Sequence, residues 1–199
     1  MQNRGWTNFQ HKNKQIKLPD PTTCIKETPI IIDSRDRDRS LFPNTNRYIV
    51  KFDNNDNGHI SCNFHNVESI ELVQAILPQS VLSSTTGVPY INLEIEELQD
   101  TFQGTNTALR NAFAFLSPQD VYGTKYLSCK FYRTAKRVFE PPLASLSKFT
   151  IELRHPNGDL FDFGADTAVG NAPNEDVQTV LYFVINTMEA KHPDISIAR

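Results

Sequence analysis

The sequence predicts a mainly β fold: a single β-sandwich-like domain with an extended N-terminal arm and one C-terminal helix. The chain of 199 residues contains 13 Phe and 6 Tyr, and aromatic residues are enriched in strands. Short stretches of alternating apolar and polar residues recur between turn-forming residues, as is typical of packed antiparallel sheets. Residues 1–28 follow neither the helical nor the strand period. This difference separates an arm at 1–28 from a β-rich domain at 29–199.

The arm at residues 1–28 is rich in Asn, Gln and Lys, and its few apolar residues are too scattered to fold by themselves. Trp6 and Phe9 are its large aromatic side chains, and such side chains dominate interface energetics. We therefore expect Trp6 and Phe9 to anchor the arm on a neighbouring protein. A disordered tail is the alternative.

Strands are predicted along most of the remaining chain. The β-branched run at 30–32 and an apolar stretch at 67–77 favour buried strands, the latter because of its Val and Ile content. A turn at 156–159 predicts a hairpin that returns along 160–164. The segment 99–123 is predicted as a loop, with room for a short helix at 107–114. Alternating segments that predict half-buried strands lie at 47–52, 91–96, 127–132 and 149–154.

The last element is predicted as a helix at about residues 174–190. Asn174 suits an N-cap, and two acidic residues follow it, as the positive end of a helix dipole favours. One apolar stripe has helical spacing, and Pro193 ends it. The stripe consists of Val177, Val180, Leu181, Val184 and Met188.

Residues 33–39, with the sequence DSRDRDR, alternate in charge. On a strand, Arg35, Arg37 and Arg39 would share one face, with aspartates on the other. Because arginine forms forked hydrogen bonds with carboxylates and carbonyls, these three residues predict a docking edge for a protein partner. The alternative is a solvated edge whose charges discourage unwanted strand pairing.

Charge and cysteine content disfavour several classes of protein. A net charge of −3 and a pI of about 5.9 argue against a domain whose whole surface follows nucleic acid. Three cysteines far apart in sequence fit neither a disulfide scaffold nor a Cys-rich zinc site. No apolar stretch reaches the roughly 18 residues of a membrane span, and the N-terminus lacks the apolar region of a secretory signal.

No motif for catalysis or metal binding is complete. The sequence has no Gly-rich phosphate loop, no GxSxG and no HExxH. Residues 53–58 match the front half of a calcium loop, but Phe64 stands where the loop needs a bidentate Glu. His59, Cys62 and His65 do not have a standard zinc spacing. The sequence therefore predicts no catalytic residue, no small-molecule substrate, no cofactor and no metal.

Several blocks, in this order along the chain, resemble minor capsid proteins of large icosahedral double-stranded DNA viruses, such as the chlorella viruses. The resemblance covers roughly residues 30–165, and the order of the blocks is more specific than any one of them. The arm lies outside it. The blocks are IDSRDRD at 32–38, PNTNRY at 43–48, NVESIEL at 66–72, PYINLEIEEL at 89–98, FEPPLASLSKFTI at 139–151 and GDLFDFG at 158–164.

The resemblance implies a non-enzymatic virion protein, made in the host cytoplasm, that cements capsid subunits from the inner side of the shell. The expected partners are the major capsid protein and other minor capsid proteins. Some proteins of this kind face the inner membrane, and this chain is not expected to span it. A nucleic-acid-binding or packaging module inside the virion is the alternative, which the acidic net charge disfavours.

Overall fold

The computed structural model describes residues 23–53, 59–78, 90–98, 110–120, 126–130 and 135–190. Within them the chain is mainly β, as the alternating segments predict, and the named strands pair antiparallel. The strands are β1 (Thr23–Asp33), β2 (Arg47–Lys51), β3 (Phe64–Pro78), β4 (Ile91–Ile95), β5 (Ala112–Asp120), β6 (Tyr126–Lys130), β7 (Ala135–Leu146), β8 (Lys148–Arg154) and β9 (Val180–Ala190). Among the described residues, short 3-10 helices lie at Ser34–Asp36, Glu96–Leu98 and Glu175–Val177.

The strands form two antiparallel sheets that share β5. The strand order is β1-β9-β3-β6-β5-β4-β8-β2, and β7 also pairs with β3. The first part of β5, up to Leu116, pairs with β4, whereas Ser117–Asp120 pair with β6. We call β1, β9, β3, β6 and β7 the first sheet, and β2, β8 and β4 the second sheet. One strand therefore passes from one sheet into the other.

Both sheets contribute to one hydrophobic core. Phe183 of β9, in the first sheet, contacts Phe149 of β8, in the second, with ring centroids 5.3 Å apart. Phe149 also meets Phe52 edge to face at 4.9 Å, and Phe113 of β5 lies 6.2 Å from Phe183. Offset and edge-to-face arrangements are those that aromatic pairs prefer. The aromatic side chains therefore join the two sheets into one packed unit.

The 15-residue strand β3 lies inside the first sheet, with β9 on one side and β7 and β6 on the other. Most of its apolar residues are fully buried, including Val67, Ile70 and Leu77, whereas Val73 is 38% exposed. The prediction of a buried strand at 67–77 is confirmed. Register irregularities between Val67 and Ser69 and between Leu72 and Gln74 interrupt the alternation, so the sequence of β3 shows no single strand period.

The predicted C-terminal helix is wrong. Glu175–Val177 form a single 3-10 turn capped by Asn174, and Val180–Ala190 form β9, between β1 and β3. Leu181, Phe183 and Ile185 are fully buried on one face of β9, while Val184 is half-buried on the other. Because both faces are apolar, the strand also matches helical spacing. No helix in the described part of the chain is long and apolar enough to cross a membrane.

Two further sequence predictions need correction. The return strand at 160–164 is reduced to one bridge between Arg154 and Leu160, although Phe161 and Phe163 nearby are buried in the core. The segment predicted as a loop with a short helix contains β5, which begins at Ala112. The turn before 160 forms as expected, with Gly158 at φ 96°, a backbone conformation that glycine adopts without strain.

The boundary of the N-terminal arm differs from the one expected at residue 28. Strand β1 begins at Thr23, so the last six residues of the expected arm, 23–28, belong to the first sheet. Trp6 and Phe9, the expected anchors, lie outside the described residues.

Candidate protein-binding surface

The charged segment 33–39 does not run along a strand. β1 ends at Asp33, whose side chain accepts a hydrogen bond of 2.9 Å from the backbone N–H of Arg35 and so caps the 3-10 helix Ser34–Asp36. The expectation that Arg35, Arg37 and Arg39 share one strand face is therefore wrong. Aspartate side chains readily bond the backbone two residues ahead, and this local bond competes with continuing a strand.

Arg37 is the buried centre of this segment. Its side chain is 0% exposed and donates to Asp166 at 2.6 Å, whose side chain is 2% exposed. The same guanidinium donates to the carbonyls of Ser34, Phe42 and Pro43 at 2.7, 2.8 and 2.9 Å. Burying a charge is costly unless it is paired and hydrogen-bonded, and Arg37 meets both conditions.

Asp166 and Gln178 complete the network around Arg37. The Gln178 carbonyl oxygen accepts from Ser34 at 2.8 Å and from Arg37 at 3.1 Å, while its amide donates to Asp166 at 3.2 Å. Burial raises the pKa of the Asp166 carboxyl, but hydrogen bonds from the Asn174 backbone N–H, from Arg37 and from further donors outweigh it. Together they lower this pKa to about 2.

The other two arginines contact the same opposing segment. Arg35 pairs with Asp33 and reaches Glu175 at 3.2 Å. Arg39 donates to the Thr167 hydroxyl at 3.2 Å and to the Asn171 carbonyl. Segment 33–39 thus holds segment 166–178 within the fold. Arg37 is enclosed and has no free face for a partner, whereas the Arg35 side chain is 45% exposed.

The sequence alone did not identify Asp166 and Gln178 as partners of Arg37. Gln178 fell inside the predicted helix, where it had no reason to meet residues 140 positions earlier in the chain. The one signal was chemical: a charge-dense segment with three arginines needs carboxylates elsewhere, and several acidic residues lie within 159–176.

A long open edge in the described part of the chain belongs to β1. It pairs with β9 over 11 residues and has no partner strand on its other side among the described residues. Ser34 donates to the Thr179 carbonyl at 2.9 Å, in continuation of the β1–β9 register. Because hydrogen-bonded pairs alternate in an antiparallel ladder, even-numbered residues of β1 bond β9. The odd-numbered residues between 25 and 33 direct their backbone groups outward.

Pro29 fits this assignment, because it is odd-numbered and has no N–H to donate. Proline within sheets is confined to positions where the missing donor faces away from the ladder. The side chains of the odd-numbered residues lie on the outer face of the first sheet. Among them Ile25 is 52% exposed and Ile31 is 68% exposed. Their β9 neighbours Met188 and Tyr182 are half-buried on the same face.

The edge of the second sheet at β2 is less accessible. β2 has five residues, and its Lys51 carbonyl already accepts from the backbone N–H groups of His59 and Ile60 at 3.0 and 3.2 Å. The Lys51 N–H donates to the His59 ring at 3.0 Å. Short length and coverage are common ways of protecting a sheet edge. β1 has neither protection within the described residues.

Ion pairs on the second sheet connect its own strands, β2, β4 and β8. Arg154, on the outer face of the second sheet, contacts Glu94 at 3.1 Å and also pairs with Glu152, which Arg47 reaches at 3.0 Å. Burial raises the pKa of Glu94, and Arg154 opposes this effect.

An open cleft of about 360 Å³ lies beside β1. Its lining includes Thr28, Cys62, His65 and the Lys26–Glu189 pair, whose atoms are 3.0 Å apart.

No group of three or more His, Cys, Asp or Glu side chains is placed to hold a metal ion within the described ranges. Neither family models nor curated proteins match this chain. The site is therefore defined by its geometry alone: a long open strand edge with exposed apolar side chains.

Proposed function

We propose that this chain is a structural protein without catalytic activity, a minor capsid component that binds other virion proteins beneath the major shell of a large double-stranded DNA virus. One observation carries the docking role: the 11-residue edge of β1 is open among the described residues and presents Ile25 and Ile31 to solvent. Exposed apolar side chains on an unprotected edge are typical of binding surfaces. The viral assignment rests on the resemblance across residues 30–165.

The domain is β-sandwich-like in this proposal, with two sheets around one core and a rigid edge for docking. A rigid scaffold favours binding, because little conformational freedom is lost on contact. Trp6 and Phe9 of the arm add anchors on the major capsid protein or on another minor capsid protein. Each contact is weak, and repeated copies in a shell strengthen it through multivalency.

The proposed location is the inner side of the shell, close to the inner membrane, after synthesis in the host cytoplasm. Of the three arginines considered for docking, Arg35 and Arg39 keep this role in the proposal, and Arg37 is assigned to the interior of the fold.

Limited proteolysis tests the proposal. The full chain is digested alone and mixed with purified major capsid subunits, and cleavage sites are mapped by mass spectrometry. We expect residues 1–22 to be protected only in the mixture, the β1 edge to be protected more strongly in the mixture than in the chain alone, and the double variant Trp6→Ala, Phe9→Ala to lose protection of the arm. Leu41→Ala, at an exposed position that belongs to neither element, serves as the control.

Equal cleavage with and without capsid subunits would contradict the docking role. Protection by DNA instead, lost steeply as salt rises, would support the packaging function, because phosphate contacts release counterions.

A further inference from the structure

We infer that β1 binds a second copy of this chain, edge to edge and antiparallel, in a two-fold symmetric dimer that makes the first sheet continuous across both copies. The inference does not depend on the capsid role. It rests on the outward backbone groups of β1, on its two exposed isoleucines and on the way this sequence matches itself when reversed.

The backbone of β1 is compatible with pairing to itself. A new ladder requires outward-facing residues to oppose outward-facing residues. In β1 these are the odd-numbered positions, and both terminal residues, Thr23 and Asp33, are odd. The register with complete overlap, in which Thr23 opposes Asp33 of the second copy, therefore satisfies the requirement. Its two-fold axis passes through Thr28.

The side chains are complementary in the same register. Ile25 opposes Ile31 of the second copy, and symmetry repeats this contact. The two most exposed apolar side chains of β1 thus cover each other, which removes apolar surface from water. Glu27 opposes Pro29 and Thr23 opposes Asp33, so no like charges face each other directly.

Pro29 weakens the dimer without preventing it. Five residues between 25 and 33 face outward, and without Pro29 four of them offer an N–H donor in each copy; the missing donor faces Glu27. Proline and charged residues on an edge limit indiscriminate pairing. A single pair of strands buries less than the roughly 1,200 Å² of a standard stable interface. We therefore expect a weak dimer whose population depends on protein concentration.

The second copy is a better match for this edge than an arbitrary extended peptide. The exposed isoleucines sit three residues on either side of Thr28. A reversed copy therefore brings Ile25 to Ile31 twice, with the ends of both strands aligned. A foreign strand would need the same spacing to cover both side chains.

A disulfide at the two-fold axis tests the register. Thr28 would face Thr28 of the second copy at a non-hydrogen-bonded position, where Cα atoms are about 4.5 Å apart, within disulfide range. The full chain carrying C24S, C62S and C129S receives Thr28→Cys and is incubated in a glutathione redox buffer. We expect a disulfide-linked dimer on non-reducing gels.

The matched control is Ile25→Cys in the same background. In the proposed register the two positions 25 lie six residues apart along the ladder, about 20 Å, so this variant should cross-link at least tenfold more slowly. Equal rates for the two variants, or no cross-link for Thr28→Cys at any concentration, would overturn the inference. The second result is also the one expected if the N-terminal residues of the same chain fill the edge.

Sedimentation equilibrium provides an independent test with native cysteines. Ile31→Lys should weaken association at least tenfold, because each copy then places an ammonium group against Ile25. Val138→Lys, on β7 in the same sheet and also exposed, should leave association unchanged. Pro29→Val should strengthen association, since it restores one donor in each copy.

Association that is the same in all three variants and in the wild type would contradict the proposed edge contact. Because these experiments use the purified chain alone, their failure would leave the proposed binding to capsid subunits untouched.

Discussion

The buried ion pair of Arg37 and Asp166 ties the segment after β1 to the segment before β9. Arg37 donates to three backbone carbonyls and to the Gln178 side chain besides Asp166, and Asp166 accepts from Asn174 and Gln178. A buried ion pair adds little net stability compared with apolar side chains of similar size. It does disfavour any arrangement of these loops that leaves either charge unpaired.

Replacing Asp166 with Asn should therefore cost more stability than a typical surface change. The substitution leaves the Arg37 charge buried without a counter-charge, so we expect a loss of about 3–5 kcal/mol in the free energy of unfolding. Urea denaturation followed by circular dichroism measures it. Glu175→Gln, which removes the exposed partner of Arg35, should change stability by about 1 kcal/mol or less. Equal losses of unfolding free energy in the two variants would show that burial of the Arg37–Asp166 pair does not increase the cost of losing the counter-charge.

Lowering the pH should remove the contribution of the Asp166 carboxylate to the free energy of unfolding. Its pKa lies at about 2 in the folded protein, below the ordinary value of 3.8. A carboxyl with a depressed pKa stabilises the fold above its ordinary pKa and loses this contribution as pH falls toward the folded-state value. We expect the stability difference between the wild type and Asp166→Asn to narrow between pH 4 and pH 2. A constant difference over that range would rule out this linkage.

At the scale of single elements, the strands whose apolar and polar residues alternate are those that the sequence predicts best. β4 and β8 show clean alternation because their inner side chains, such as Leu93 and Ile151, are fully buried, while the positions between them are polar, from the buried Asn92 to the half-buried Glu152. β9 lies between two strands and is apolar on both faces, so its sequence fits two periods. The choice between the helical and the strand period depends on pairing with β1 and β3, which are distant in sequence. A local pattern does not contain this information.

Tyr182→Ala distinguishes the strand from the predicted helix. In that helix Tyr182 would lie off the apolar stripe, so alanine there would raise stability, because it is the best helix former. In β9, Tyr182 is half-buried between β1 and β3, so we expect a loss of about 1 kcal/mol. Thermal unfolding measures the change, and far-ultraviolet circular dichroism should show no helical minimum. A gain in stability would contradict the strand assignment.

The open edge of β1 illustrates why the candidate site was only partly predictable. The sequence pointed to strand structure at 30–32 and to charged residues at 33–39. An edge, however, is defined by which strands are absent from one side, and this depends on the order of the whole sheet. The pairing of β1 with β9 joins residues more than 140 positions apart. The exposure of Ile25 and Ile31 follows from that pairing.

At the scale of the whole molecule, the two sheets should unfold together, because their side chains meet in one core. Phe149 and Phe183 belong to different sheets and are in ring contact. Phe149→Leu and Phe183→Leu should each cost about 1–3 kcal/mol. A double-mutant cycle should give a coupling energy of about 0.5 kcal/mol or more.

The control for this cycle combines Phe149→Leu with Ile25→Val, whose side chain is on the outer face of the first sheet. These two changes should be additive. Additivity of the two Phe substitutions as well, or two separate unfolding transitions, would contradict a single cooperative core.

The sharing of β5 has a mechanical consequence. A pull on the edge of β1 passes through hydrogen-bonded ladders across β9, β3 and β6 into β5, and from β5 through β4 and β8 to β2. Tension applied at one rim therefore reaches the opposite rim along covalent chain and backbone hydrogen bonds, without a seam held by side-chain packing alone. Two stacked sheets without a common strand would slide apart at that seam first. In this chain, one continuous order of hydrogen-bonded strands runs through both sheets instead.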